Sequence, residues 1–294
     1  MKIRAFVAVA LMVFAVPLPA AVPNVVVEGV QMPAWVEHAS GARDPLAIGA
    51  GLASKDRIYT GPGARALLRL ADGSLIKLGE NGVLGLDDLG QRRISLRDVV
   101  TATLDVASGA FRFTTQALSR FRGERDVKVK VTTITVGIRG TDVWGKSDRS
   151  RDLVCLIEGA ITVARGPDAF TMDQPMSFYI APRDAPPQPV APVSEAQLRE
   201  WSLETEISDG NGAARKGGKW KVYLSEFDNQ DDALRAYDQV RLAGYAAEIR
   251  PVTTEGGRSY RVRIANLPSE KEAKVLADKL KGKMGMTEPK VSLK

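Results

Sequence analysis

Five residues near the end of the chain have types and spacing suited to holding a ligand. In "WKVYLSEF" at 220–227 alternate positions carry Lys221, Tyr223 and Ser225, and in "YRVRIANL" at 260–267 they carry Arg261 and Arg263. Cations and hydroxyls reach the carboxylates and hydroxyls of a sugar while its apolar face lies on an aromatic ring. The chemistry that follows is recognition of a polyanionic or glycan ligand. Bond-breaking chemistry finds less support. His38 is the only histidine and Cys155 the only cysteine, so histidine-paired Ser or Cys catalysis would rest on one imidazole, and a histidine-rich zinc site is excluded. Cys155, in "LVCLIEG", has no intrachain partner and reads as a small buried hydrophobe. The Gly-rich steps are followed by strands, whereas a phosphate cradle needs a helix. Carboxylates are plentiful, but nothing in their spacing argues for a hydrolase. No enzyme, metal or cofactor is expected.

The two stretches belong to a duplicated unit. At the same offset of forty, Ala233 pairs with Ala273, Asp238 with Asp278, Val240 with Leu280 and Glu248 with Glu288. Each copy reads as strand, helix, strand. The first helix is capped by Asp228 or Asn229, buries Ala233, Tyr237 and Val240, and stops at Gly244. The second opens on a Ser269/Glu272 capping box, buries Ala273, Leu276 and Leu280, and stops at Gly282. Two copies predict a small α+β, ferredoxin-like β-α-β-β-α-β domain over 219–294, with two helices on one face of a four-stranded antiparallel sheet. By alternation Val222, Leu224, Val262 and Ile264 face the helices, leaving Lys221, Tyr223, Ser225, Arg261 and Arg263 on the open face of the central strands. A polar open face is also what any antiparallel sheet shows to water. An RNA-recognition domain shares this topology, but its Gly-aromatic signature is missing here, and no nucleic-acid partner is expected.

The chain has 294 residues, 44% hydrophobic and 26% charged, with a net charge of +6, a globular composition with room for two domains. Residues 1–21, with Lys2 and Arg4 ahead of an apolar run and small residues at Ala20 and Ala21, read as a signal peptide. No other segment is long and apolar enough to span a membrane, so a soluble periplasmic chain is expected after cleavage. Residues 22–183 are short alternating runs between turns, with Asp72-Gly73 a hairpin signal, and predict an all-β sandwich or roll. Residues 184–218 read as a Pro-rich and Gly-rich linker with a short helix. There Ser194 and Gln197 make a capping box, and Leu198, Trp201 and Leu203 are available for docking. The Gly-rich part, 208–219, has no periodicity and predicts a flexible segment.

"DRIYTGPGARALLRLADGSLIKLGENG", "SGAFRFTT", "VTTITVGIRGTDVWG" and "LIEGAITV" resemble, in order, the motifs of the FecR-like domain. That resemblance implies an all-β fold in an extracytoplasmic setting and names no ligand. The family's namesake is a periplasmic sensor that signals to a sigma-factor partner through the membrane. This chain opens on a signal instead of a cytoplasmic segment, so direct sigma-factor control is not expected. Residues 219–294 resemble the SPOR (sporulation-related) family. Val222, Phe227, Tyr260, Arg261 and Val262 match its pattern, while Tyr223 replaces a glutamine, Glu226 a serine, and Ala265-Asn266-Leu267 a Gly-Pro-Phe. The resemblance implies binding of peptidoglycan glycan strands stripped of stem peptides, through the open sheet face, as at division septa. The expectation is an exported cell-envelope protein that holds glycan strands and presents its β domain to a protein partner. A periplasmic signalling sensor with both modules on proteins is the alternative.

Overall fold

The computed structural model describes residues 24–94, 97–115, 123–138, 140–254, 257–286 and 288–293. The predicted signal peptide, 1–21, lies outside the described residues, as does Arg139 of the Arg-Gly-Thr motif. Alternating runs between turn residues make the first body of the chain β throughout. Its strands are β1 (Val25–Gln31), β2 (Ala34–Glu37), β3 (Arg43–Pro45), β4 (Gly51–Leu52), β5 (Arg57–Thr60), β6 (Arg65–Leu70), β7 (Leu75–Leu78), β8 (Val83–Ile94), β9 (Arg97–Thr114), β10 (Glu124–Val131), β11 (Ile134–Ile138), β12 (Asp142–Ser147), β13 (Arg151–Glu158), β14 (Ile161–Arg165), β15 (Asp168–Met172) and β16 (Ser177–Pro182). Asp72-Gly73 turns β6 into β7 as expected. Gly73 has φ +87°, a conformation open to glycine at no steric cost.

β9, with 18 residues, is long enough to serve two sheets. Its first part pairs with β8 and, in parallel, with β10, while Phe111, Arg112, Phe113 and Thr114 pair with both β7 and β12. One sheet therefore runs β1-β6-β7-β9-β12-β13-β16, and the other β3-β2-β5-β8-β9-β10-β11-β14-β15. Leu68, Ile76, Phe111 and Phe113 from the first and Leu84, Leu104, Val129 and Ile134 from the second are buried in one core.

The segment after β16 packs against the β body. β17 (Ala191–Pro192) pairs with β16. α1 (Glu195–Leu203) is capped by Ser194, whose hydroxyl accepts the Gln197 N–H at 3.2 Å. Trp201 stacks on Trp144, with ring centroids 5.1 Å apart and planes at 8°, and Leu198 joins the same cluster around the buried Cys155. Burial, and then Asp142, push the Cys155 thiol up to about 12, so it stays protonated and unreactive. Leu203, expected to dock, is 60% exposed; five residues on from Leu198 turns it roughly 140° round the helix.

The C-terminal unit comprises β19 (Trp220–Phe227), α2 (Gln230–Leu242), β20 (Ala247–Thr254), β21 (Gly257–Leu267), α3 (Glu270–Leu280) and β22 (Lys290–Leu293). Its antiparallel sheet has the order β20-β21-β19-β22, with the duplicated strands side by side at the centre. Val222, Leu224, Val262 and Ile264 are buried against Ala233, Val240, Ala273, Leu276 and Leu280. Asn229 caps α2 and Ser269 caps α3.

The Gly-rich stretch departs from the expected flexible segment. β18 (Ala214–Arg215) pairs with β1, and the Lys216 N–H donates to the Glu28 carbonyl at 2.8 Å. Ahead of it, the Glu272 carboxylate accepts backbone N–H bonds from Gly210, from Gly212 at 2.6 Å and from Ala213 at 3.1 Å. Ser269 Oγ accepts the Glu272 N–H at 3.2 Å, but the Glu272 side chain, predicted to cap its own helix, is turned onto this stretch. A second contact joins α2 to β2. The Ala34 N–H donates to the Gly244 carbonyl at 3.0 Å, Trp35 Nε1–H donates to the Leu242 carbonyl at 3.2 Å, and Arg241 pairs with Asp44. Gly244 has φ +84°, and a Cβ there would lie 2.6 Å from the Trp35 ring. The residue that ends α2 is thus also the one that lets the indole approach. His38, 3.1 Å from Asp56 and 3.6 Å from Asp44, belongs to this junction.

Burial would raise the Glu272 carboxyl, but the amides of Gly210, Gly212, Ala213 and Asn211 outweigh it and hold it below the ordinary 4.5. The stabilisation is therefore complete above the unfolded value and lost as the pH falls through the lower folded value. Replacing Glu272 with Ala should destabilise the chain by about 2–3 kcal/mol, since it orphans buried amides, and should make 208–219 the first site of limited proteolysis. Denaturant melts from pH 3 to 7 and timed trypsin digests check this. An unchanged cleavage order would show that the stretch is held by other contacts.

Candidate functional site

β-strand alternation sets up the open face, and one bulge rearranges it. In β19 the register pairs Tyr223 with Arg263, then Ser225 with Val262 and Glu226 with Arg261, so Leu224 is the extra residue. Past such a bulge the faces exchange. Ser225 pairs with a buried valine and its hydroxyl is turned to the sulfur of buried Met286 at 3.1 Å, although the residue still borders the groove. Glu226 takes the place on the open face beside Arg261. Tyr223 and Arg261 line one groove, Arg263 is the register partner of Tyr223, and Lys221 lies outside the groove lining, across from Ser292; acids stand among them.

Arg261 Nε donates to Glu226 at 2.9 Å, and the Ser259 hydroxyl donates to the same carboxylate at 2.5 Å. These two bonds hold the Glu226 carboxyl below the ordinary 4.5, and the same ion pair raises the Arg261 guanidinium. Arg263 is paired with Glu248, its register partner on β20, through Nη2 at 3.1 Å and Nε at 3.3 Å, and its side chain is only 14% exposed. The Arg261 guanidinium carbon lies 5.7 Å from the centroid of the Tyr223 ring, within cation–π range. On the other side of β19, Tyr223 pairs with Lys290 and Lys221 with Ser292 of β22. Tyr223, Ser225, Glu226, Arg261, Glu288, Lys290 and Ser292 are among the residues lining a groove of about 630 Å³. It combines one aromatic ring, two bases, two carboxylates and the hydroxyls of Tyr223 and two serines. Such a set can stack on a sugar, accept from its hydroxyls and amides, and meet an acid group. No cluster able to hold a metal ion occurs among the described residues.

Comparison with known families identifies both bodies. The SPOR domain profile matches residues 216–291, and the FecR protein profile matches residues 56–162. The chain carries a FecR domain and a SPOR domain. No curated protein matches it. Two crystal structures of a "putative anti-sigma factor" from Parabacteroides distasonis are similar at 14% identity. One covers 50% of this chain and 64% of its own with a TM-score of 0.38, the other 64% and 75% with a TM-score of 0.39. This chain thus spans less than two thirds of the first, and likeness at that level bears on neither fold nor partner.

The sequence reading passed over Lys290, Glu226 and Glu248 of the SPOR domain. Alternation in "PKVSLK" would have placed Lys290 and Ser292 on one face. The repeat also carried a signal, for Glu248 and Glu288 are equivalent positions of the two copies and both come to the site. Glu226 could not be found by alternation, because the bulge reverses it. The Glu226–Arg261 pair is largely solvent-facing, so a double-mutant cycle with Glu226→Ala and Arg261→Ala should give a coupling of about 0.5 kcal/mol in denaturant melts, reduced in 1 M salt. A coupling above about 2 kcal/mol would mark the pair as part of the domain's core instead of its binding face.

Proposed function

We propose that this chain is an exported, non-enzymatic envelope protein whose SPOR domain binds stem-peptide-stripped glycan strands of peptidoglycan, and whose FecR domain meets a protein partner. The domains proposed are a signal peptide over 1–21, the β domain over 22–183, a connecting segment over 184–218 and the glycan-binding module over 219–294. The periplasm is the compartment, and cell division or envelope organisation the setting. What carries the reading is the groove beside Tyr223, where a ring, bases and hydrogen-bonding groups converge on a sheet face left bare by both helices. Tyr223 supplies a stacking surface and one hydroxyl. Arg261 and Arg263, each held by an acid, present fixed guanidinium planes in place of mobile charges.

A second reading, in which the face contacts a protein, draws on the Glu226–Arg261 and Glu248–Arg263 pairs, which leave the surface mixed in charge.

Sedimentation with peptide-stripped sacculi separates the two. Tyr223→Ala should lower the bound fraction at least severalfold while moving stability by less than about 1 kcal/mol, Tyr223 being half-buried on the open face. Salt should weaken the wild type only partly if the ring contributes. No sedimentation of the wild-type chain would remove the glycan reading and leave the protein-contact one. N-terminal sequencing of the mature chain should begin at Ala21 or Val22; recovery of Met1 in a membrane fraction would count against export by cleavage.

A further inference from the structure

The cations of the SPOR face fall into two kinds. Arg261 and Arg263 are committed to Glu226 and Glu248. Among the described residues, neither Lys221 nor Lys290 forms an ion pair. Both stand on the β19–β22 side of the face, Lys290 directly across from Tyr223 and Lys221 across from Ser292. Cβ atoms of such cross-strand partners lie about 4.5–5.5 Å apart, so the Lys290 stem starts beside Tyr223 in the groove, near enough to Glu226 to help lower its carboxyl, and Lys221 stands two residues along β19 on the same face. Lysine carries a compact charge on a flexible stem, suited to an anion whose position varies along a polymer, whereas a clamped guanidinium serves fixed hydrogen-bond geometry.

Resting on the glycan reading, we infer that Lys221 and Lys290 are the specificity-determining residues that read the free lactyl carboxylate of muramic acid, while Arg261 and Arg263 are positioning residues for Tyr223 and the sugar ring. A strand that keeps its stem peptides has an amide at that position and no charge there. The two lysines thus favour stripped over peptide-bearing strands by charge, independently of any steric conflict with the peptide.

The test uses the exported chain and two preparations of stripped strands, one untreated and one with its lactyl carboxylates capped as neutral methylamides by carbodiimide and methylamine. Wild type should bind untreated strands about tenfold more tightly than capped ones, the size expected of two exposed charge pairs together. The double variant Lys221→Ala/Lys290→Ala should bind both preparations at the wild type's capped level, and Lys221→Arg/Lys290→Arg should restore the preference. Arg263→Gln should weaken binding to both preparations by the same factor and keep their ratio. Equal binding of both preparations by wild type, or a preference that survives in the alanine pair, would overturn the assignment while leaving glycan binding intact. Wild type that bound neither preparation would overturn the glycan reading and this inference with it.

Discussion

Backbone amides at Gly210, Gly212 and Ala213 belong to no helix and donate to no strand, yet they lie where the C-terminal unit meets the segment leading into it. Buried donors of that kind must find an acceptor or cost free energy. The Glu272 carboxylate supplies it, with its own residue 3% exposed and three of these donors on its oxygens. From that contact the rest of the arrangement follows. The stretch is led to β18, β18 adds to β1, and β19 starts from a place fixed relative to the β body. The Gly244–Trp35 contact at the end of α2 closes the same junction from the other side. The C-terminal unit is therefore tied through β18 to β1 and through the end of α2 to β2.

Duplication explains the platform, and divergence between the copies explains its chemistry. Both copies begin with the same alternation, which puts β19 and β21 side by side and gives the face its row of long polar side chains. The copies then differ by irregularities. β19 bulges at Leu224, and β21 shifts near Asn266, which has φ +65°; asparagine tolerates the left-handed region better than most residues. The first irregularity brings Glu226 beside Arg261 on the open face and turns the Ser225 hydroxyl toward Met286. The second lies where the SPOR family pattern has Gly-Pro-Phe and this chain has Ala265-Asn266-Leu267. One inserted residue thus changes an expected patch of free bases into a face of two clamped arginines and two lysines.

The sequence by itself determined the classes of fold, because both bodies are written in hydrophobic period. Alternation between turn residues made the described residues of 25–182 largely β, with Asp72-Gly73 where a turn stands. The offset of forty and the caps at Asn229 and Ser269 marked two strand–helix–strand units, and Val222, Leu224, Val262 and Ile264 are buried as their alternation required. Tyr223, Arg261 and Arg263 could be grouped from sequence for the same reason: the neighbouring central strands place these same-face residues side by side.

Only the tertiary structure decided what surrounds those residues. Period-2 patterning holds within a strand and fails at a bulge, so the side taken by Ser225 and Glu226 depended on pairing with β21. Which strand neighbours which cannot be read along one segment, and Glu248 and Lys290 reach the site from β20 and β22 across that pairing. The stretch 208–219 carries no apolar signal, and its order comes from a carboxylate about sixty residues away whose local role looked complete as a helix cap. In each case hydrophobic period, a property of one segment, is legible in the chain, whereas the partner of a polar group is a property of two segments and appears only when they are folded together.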